Sequence, residues 1–179
     1  MGTASGLITE ARKHIGYQEY GNNGSKFGAW YGLNYQPWCD MFVSYCAAKS
    51  GNADVIGKYA YTVFHAQHFQ KLGRWHEGTI SNMDRSLPGD IVFFDWGGSN
   101  SIGSIDHVGI IVARLGNGRV RTIEGNSGNN CDYHIRDASV LAVYGRPAYD
   151  GTSPHVKLGP RDLEVGDTGN DVKALQTAL

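Results

Sequence analysis

The order in which two kinds of hydrophobic periodicity occur constrains this chain most. Up to about Gly73 the apolar residues recur at helical spacing. After the turn Leu87-Pro88-Gly89-Asp90 they come in short β-branched and aromatic runs. Helices first and strands afterwards predict an α+β fold, with N-terminal helices packed on a twisted antiparallel sheet.

In the first part, Leu7, Ile8, Ala11, His14 and Ile15 share one face of a helix that Gly16 ends. Ser25 caps a short helix carrying Phe27, Trp30 and Tyr31. From Trp38 onward Phe42, Val43, Cys46 and Ala47 recur at i, i+3, i+4, with Pro37 before this helix and Gly51 placed to end it. Thr62 is read as the cap of a helix over 63–72 that stops at Gly73. His65 and His68 stand one turn apart on it and are expected on its solvent surface, since no third ligand lies near in sequence. In the second part Ile91–Phe94 is a strand, Asp106 to Val112 is another, and Asn117-Gly118 turns it into Val120 to Glu124. Tyr133 to Ile135 and Val143-Tyr144 are shorter strands.

Chemistry is concentrated at Cys39, in the first turn of its helix. Unpaired N–H groups and the positive end of the helix dipole favour a thiolate there. Asp40 and the Pro37-Trp38 segment suggest a cleft wall. Cys46, seven positions on, belongs to the apolar face, and Cys131 sits in a Gly-Asn stretch as a bystander thiol. Cys39 and Cys46 lie two turns apart, too far to bridge, and three cysteines leave one unpaired, so no disulfide scaffold is expected. A zinc site built from Cys39, Cys46, Cys131 and a histidine lacks any CxxC or HxxxH spacing.

A nucleophilic cysteine needs a base, and His107 is the best placed of the seven histidines because it opens a strand whose end can border a cleft. Asp106 beside it points to the other face. Glu124 and Asn126 lie two apart on the paired strand, so in extended chain they face one side, and Gly125 leaves room between them. Either could orient His107.

The formal net charge of -1 argues against nucleic acid or an anionic membrane as the main partner. No apolar run reaches membrane length, and the first residues lack the basic and apolar regions of a signal peptide. Synthesis in a reducing cytosol is the expectation.

Four motifs in order resemble the CHAP family, the cysteine- and histidine-dependent amidohydrolases and peptidases of bacterial cell walls: Trp38-Cys39-Asp40 with Phe42-Val43-Ser44, Pro88 to Phe94, Asp106 to Ile111, and Ile123-Glu124-Gly125-Asn126. The resemblance runs from about Glu10 to Tyr149. It implies a papain-like fold, a catalytic set of Cys39, His107, Glu124 and Asn126, peptidoglycan as partner and substrate, no cofactor and a monomer. Tyr17-Gln18-Glu19 and Trp30-Tyr31-Gly32 resemble the N-terminal part of phage endolysins, implying action on the wall after a holin opens the membrane. Trp38, Tyr31 and Trp96 are expected to bind substrate, with Trp30 and Trp75 as further cleft walls. Some relatives bind calcium in an Asp-rich loop before the cysteine. Asn34-Tyr35-Gln36-Pro37 has no carboxylate, so no metal is expected. The family cleaves either the muramoyl-L-alanine amide or a stem or cross-bridge peptide bond. The rival reading is a catalytically inactive wall-binding or tail structural module of the same fold.

The catalytic domain is expected over 1–149, followed by a linker over 150–164. Residues 165–179 resemble the first helix of a peptidoglycan-binding domain, with Val172, Leu175 and Leu179 in one apolar stripe.

Overall fold

The structure, a computed structural model, describes residues 2–150. The helix expected over 165–179, and all but the first residue of the expected linker, lie outside them. Thr3 Oγ1 accepts the Gly6 N–H and opens α1 (Ala4–Arg12), whose Leu7, Ile8 and Ala11 are buried. The helix stops at Arg12, and a turn carries His14 and Ile15 on to Gly16, which takes a left-handed φ of 86°. Ser25 accepts the Gly28 N–H at the start of α2 (Lys26–Tyr31), and Gly32 ends it in the left-handed region.

Next comes α3 (Cys39–Lys49), with α1 and α2 on one side and the sheet on the other. Met41, Phe42, Val43, Cys46 and Ala47 are all buried, because a helix sandwiched in this way has little free face. Two short helices, α4 (Ala53–Ile56) and α6 (Ile80–Met83), and the strand β1 (Trp75–Glu77) are too brief to leave a periodic signal. At α5 (Thr62–Lys71) the expected cap moves by one residue. Tyr61 takes the cap position, and Thr62 instead donates its hydroxyl to the Ile105 carbonyl at 3.2 Å.

The strands β2 (Ile91–Phe94), β3 (His107–Gly116), β4 (Arg119–Ser127), β5 (Asn130–Arg136) and β6 (Leu141–Gly145) join β1 in one antiparallel sheet of order β1-β6-β2-β3-β4-β5. One face, through Ile91, Phe93, Val108, Ile110 and Ile123, packs into the main core with α3 and α5. The other buries Val92, Phe94, Ile111, Val120, Leu141 and Tyr144 with Met83 of α6. The mixed composition and helix-on-sheet layering are those of the papain-like fold.

Two glycines set how close the layers come. A Cβ on Gly125 would stand 2.6 Å from Cβ of Phe42, so β4 lies directly against α3 only because that position is bare. A Cβ on Gly109 would stand 2.8 Å from Cγ of Glu124, so the glycine two residues after His107 makes the space that the glutamate fills. Together they bring the start of α3, His107 and Glu124 into one neighbourhood.

Candidate active site

Cys39 is 7% exposed and lines a cleft of about 590 Å³. No side chain caps α3, so the first-turn N–H groups stay free to serve something else. The backbone N–H groups of Asp40, Cys39 and Val108 lie near enough to the sulfur to favour its thiolate. Burial outweighs them and, with the neighbouring Asp40 charge, pushes the thiol up to about 12. The helix start therefore does not by itself produce the thiolate expected from the sequence. The resting group is a thiol that needs a base.

The influence of the Val108 N–H on the thiol places the sulfur near the start of β3, and His107, the first residue of that strand, is almost fully buried. His107 Nε2 lies 3.0 Å from Glu124 Oε2. Glu124 is fully buried, which would raise its pKa. Hydrogen bonds from Arg136, His107 and Thr122 reverse that and hold it at about 2, so it is a carboxylate at neutral pH. A carboxylate only accepts, so Nε2 carries the hydrogen and Nδ1 is the nitrogen left for proton transfer. Asp106, just before β3, accepts the Trp96 N–H at 3.1 Å and lines the cleft beside Cys39.

Between the two candidate orienting groups the geometry discriminates. Glu124 contacts His107. The strand slips register between Glu124 and Ser127, and Asn126 takes a left-handed φ of 56° there, with its amide Nδ2 3.4 Å from Asn23 Oδ1. The expectation that Glu124 and Asn126 face one side held only for an extended chain, and the bulge removes that premise. Thr122, which donates to Glu124 Oε1 at 2.6 Å, and Arg136 were not singled out in the sequence. Thr122 had a signal, since it shares a strand face with Glu124, two residues away. Arg136 had none.

Asp40 and His65 correct two further expectations. Both are fully buried, neither on a cleft wall nor on a helix surface. His65 Nε2 is 2.8 Å from the Ile56 carbonyl, which can only accept, so Nε2 is protonated. Nδ1 is 2.7 Å from Asp40 Oδ1, so a second proton lies between ring and carboxylate and the pair shares it. The contact joins residues 25 apart, which is why α5 turns this histidine inward unseen by local pattern. Asp40 Oδ2, buried, has no partner among the described residues. His65→Phe leaves the carboxylate unpaired next to Cys39 and is expected to lower stability by about 3 kcal/mol in urea unfolding, whereas Asp40→Leu with His65→Phe recovers most of it. His68 is half-buried against Tyr59, and burial first, then the His65 and Lys71 charges, lowers its pKa.

The aromatic expectations divide. Trp38 is fully buried, stacked 5.3 Å from Phe27, with its indole N–H donated to Glu19 at 3.0 Å. It is a core residue just before α3 rather than a cleft wall. Tyr31 is half-buried and bonds the Lys58 carbonyl, and neither it nor Trp38 is among the cleft residues. Trp30 packs edge-on against Tyr45, and Trp75 is half-buried against the core. Trp96 is 46% exposed and stacks on His107 with ring centres 5.6 Å apart, and neither ring is among the cleft residues. The cleft walls are instead Leu33 and Pro37 on one side, Tyr61 and Thr62 at the start of α5, and Ile105 and Asp106 before β3. Cys46 and Cys131 are fully buried. Cys131 lies within β5, its N–H bonded to the Tyr17 carbonyl, and is a core residue rather than a loop thiol. Among the described residues no group of three His, Cys, Asp or Glu side chains could hold a metal.

A cysteine at the uncapped start of a central helix and a histidine at the head of an adjoining strand, hydrogen-bonded to a buried carboxylate, form the pattern expected of a papain-like cysteine hydrolase. The chain belongs to the CHAP family: the CHAP domain matches residues 30–126, a span that holds Cys39, His107, Glu124 and Asn126. Its members are cysteine- and histidine-dependent amidohydrolases or peptidases that generally act on peptidoglycan, which directs this hydrolase to the cell wall. No curated protein matches the chain. Among the described residues no helix is long and apolar enough to cross a membrane.

Proposed function

We propose that the protein hydrolyses an amide bond of peptidoglycan through Cys39, with His107 as its base and Glu124 orienting that base. The observation that carries this reading is the Nε2 contact of His107 to a Glu124 that is ionised at neutral pH, which leaves Nδ1 free to serve the cysteine. His107 removes the thiol proton as sulfur attacks the carbonyl, and the Cys39 N–H at the free helix start helps to hold the oxyanion. The imidazolium then protonates the leaving amine, and water, deprotonated by the same ring, clears the thioester. The likeness of the N-terminal segment to phage endolysins makes wall lysis the biological setting.

The bond is either the muramoyl-L-alanine amide or a peptide bond of the stem or cross-bridge. Mass spectrometry of fragments released from purified peptidoglycan separates them. Free stem peptides starting at L-alanine identify an amidase, and new D-alanine or cross-bridge termini identify an endopeptidase. Wall binding with no fragment released would overturn the reading in favour of an inactive binding module.

A further inference from the structure

Glu124 is held by more than its bond to His107. Arg136 on β5 donates from Nε to Oε1 at 2.9 Å and from Nη2 to Oε2 at 2.7 Å, laying the guanidinium fork on the carboxylate. Oε2 is the same oxygen that contacts His107. The guanidinium carbon also stands 4.9 Å from the centre of the Trp96 ring and 5.7 Å from that of Phe94. Trp96 in turn stacks on His107. His107, Glu124, Arg136 and Trp96 thus close a ring, and Arg136 lies beyond the span that the CHAP domain matches.

We propose that Arg136 is a positioning residue for His107: it locks Glu124 Oε2 onto Nε2 and seats Trp96 against the imidazole. The inference rests on the reading of His107 as the base. The charges facing Glu124 are His107 from β3 and Arg136 from β5, with the Thr122 hydroxyl from its own strand. An uncompensated carboxylate would pull the ring towards imidazolium, which cannot accept the cysteine proton. The guanidinium shares that charge, so the ring stays oriented yet remains a base.

The test uses Arg136→Met and Arg136→Lys in the full chain, with the His107 ring nitrogens followed by 15N NMR against pH and kcat and KM measured on a soluble muropeptide. Arg136→Met is expected to move the His107 titration upward. It is also expected to lower kcat by roughly 10- to 100-fold with KM changed less than about threefold. Arg136→Lys restores the titration, since the charge remains, but recovers kcat only in part, since an ammonium cannot fork. An unmoved titration in Arg136→Met, or wild-type kcat in Arg136→Lys, overturns the proposal. If Arg136→Met does not fold, the lysine variant decides alone. The titration needs no substrate, so a wild type inactive on the muropeptide would count against the proposed reaction and not against this assignment.

Discussion

Cys39→Ala is expected to reduce fragment release from peptidoglycan by roughly 10⁴-fold or more while leaving the urea midpoint close to wild type. Sulfur is the only atom lost, and the cleft side of the residue already has space, so the fold has little to lose. Cys39→Ser should be nearly as inactive. Burial holds even the thiol at about 12, and a hydroxyl in the same place is a far weaker acid for the same imidazole. The thiol can be located independently. Cys46 and Cys131 are fully buried in the core, whereas Cys39 lines the cleft, so brief iodoacetamide treatment of the folded protein should add one label, at Cys39, and abolish activity. A Cys39→Ala protein retaining more than about a hundredth of wild-type activity would mean that another group is the nucleophile.

The parts of the molecule that were legible in the sequence are those with local causes. Ser25 and Gly32 bracket α2 because capping and left-handed termination act within a turn, and Asn117-Gly118 closes β3 onto β4 for the same reason. The site is legible where strand pairing decides, as for Glu124, which the β3–β4 hairpin brings to His107. It fails where a long-range partner or a broken register decides. Asp40 reads as part of a cleft wall and His65 as a surface residue until the bond from α5 to α3 joins them, and only then does the shared proton make their burial tolerable. Asn126 loses its expected direction to a bulge, and Trp38 loses the cleft because its indole finds Glu19, nineteen residues earlier. The thiolate expectation failed for another reason: the helix N–H groups are present, but the depth of the sulfur is a property of the whole layer arrangement and outweighs them.

Glu124→Gln should cost about 10³-fold in kcat/KM and also change how the fold responds to acid. Glutamine keeps the shape but not the charge. Arg136 donates to both oxygens of Glu124, so whichever position the new NH2 takes meets a donor, and the hydrogen bond to His107 Nε2 no longer fixes the ring. The stability effect has a defined sign. Glu124 titrates near 2 in the folded chain against 4.5 for a free glutamate, so its ionised form is favoured by folding. That difference is worth about 3 kcal/mol, fully present above pH 4.5 and lost as pH falls through 2. Urea unfolding at pH 7, 4.5, 3 and 2 should therefore show the wild type converging on the glutamine variant as acid is added. Parallel curves, with a constant gap at every pH, would mean that the buried carboxylate is not held ionised, and the proposed use of His107 Nδ1 as the base would lose its basis.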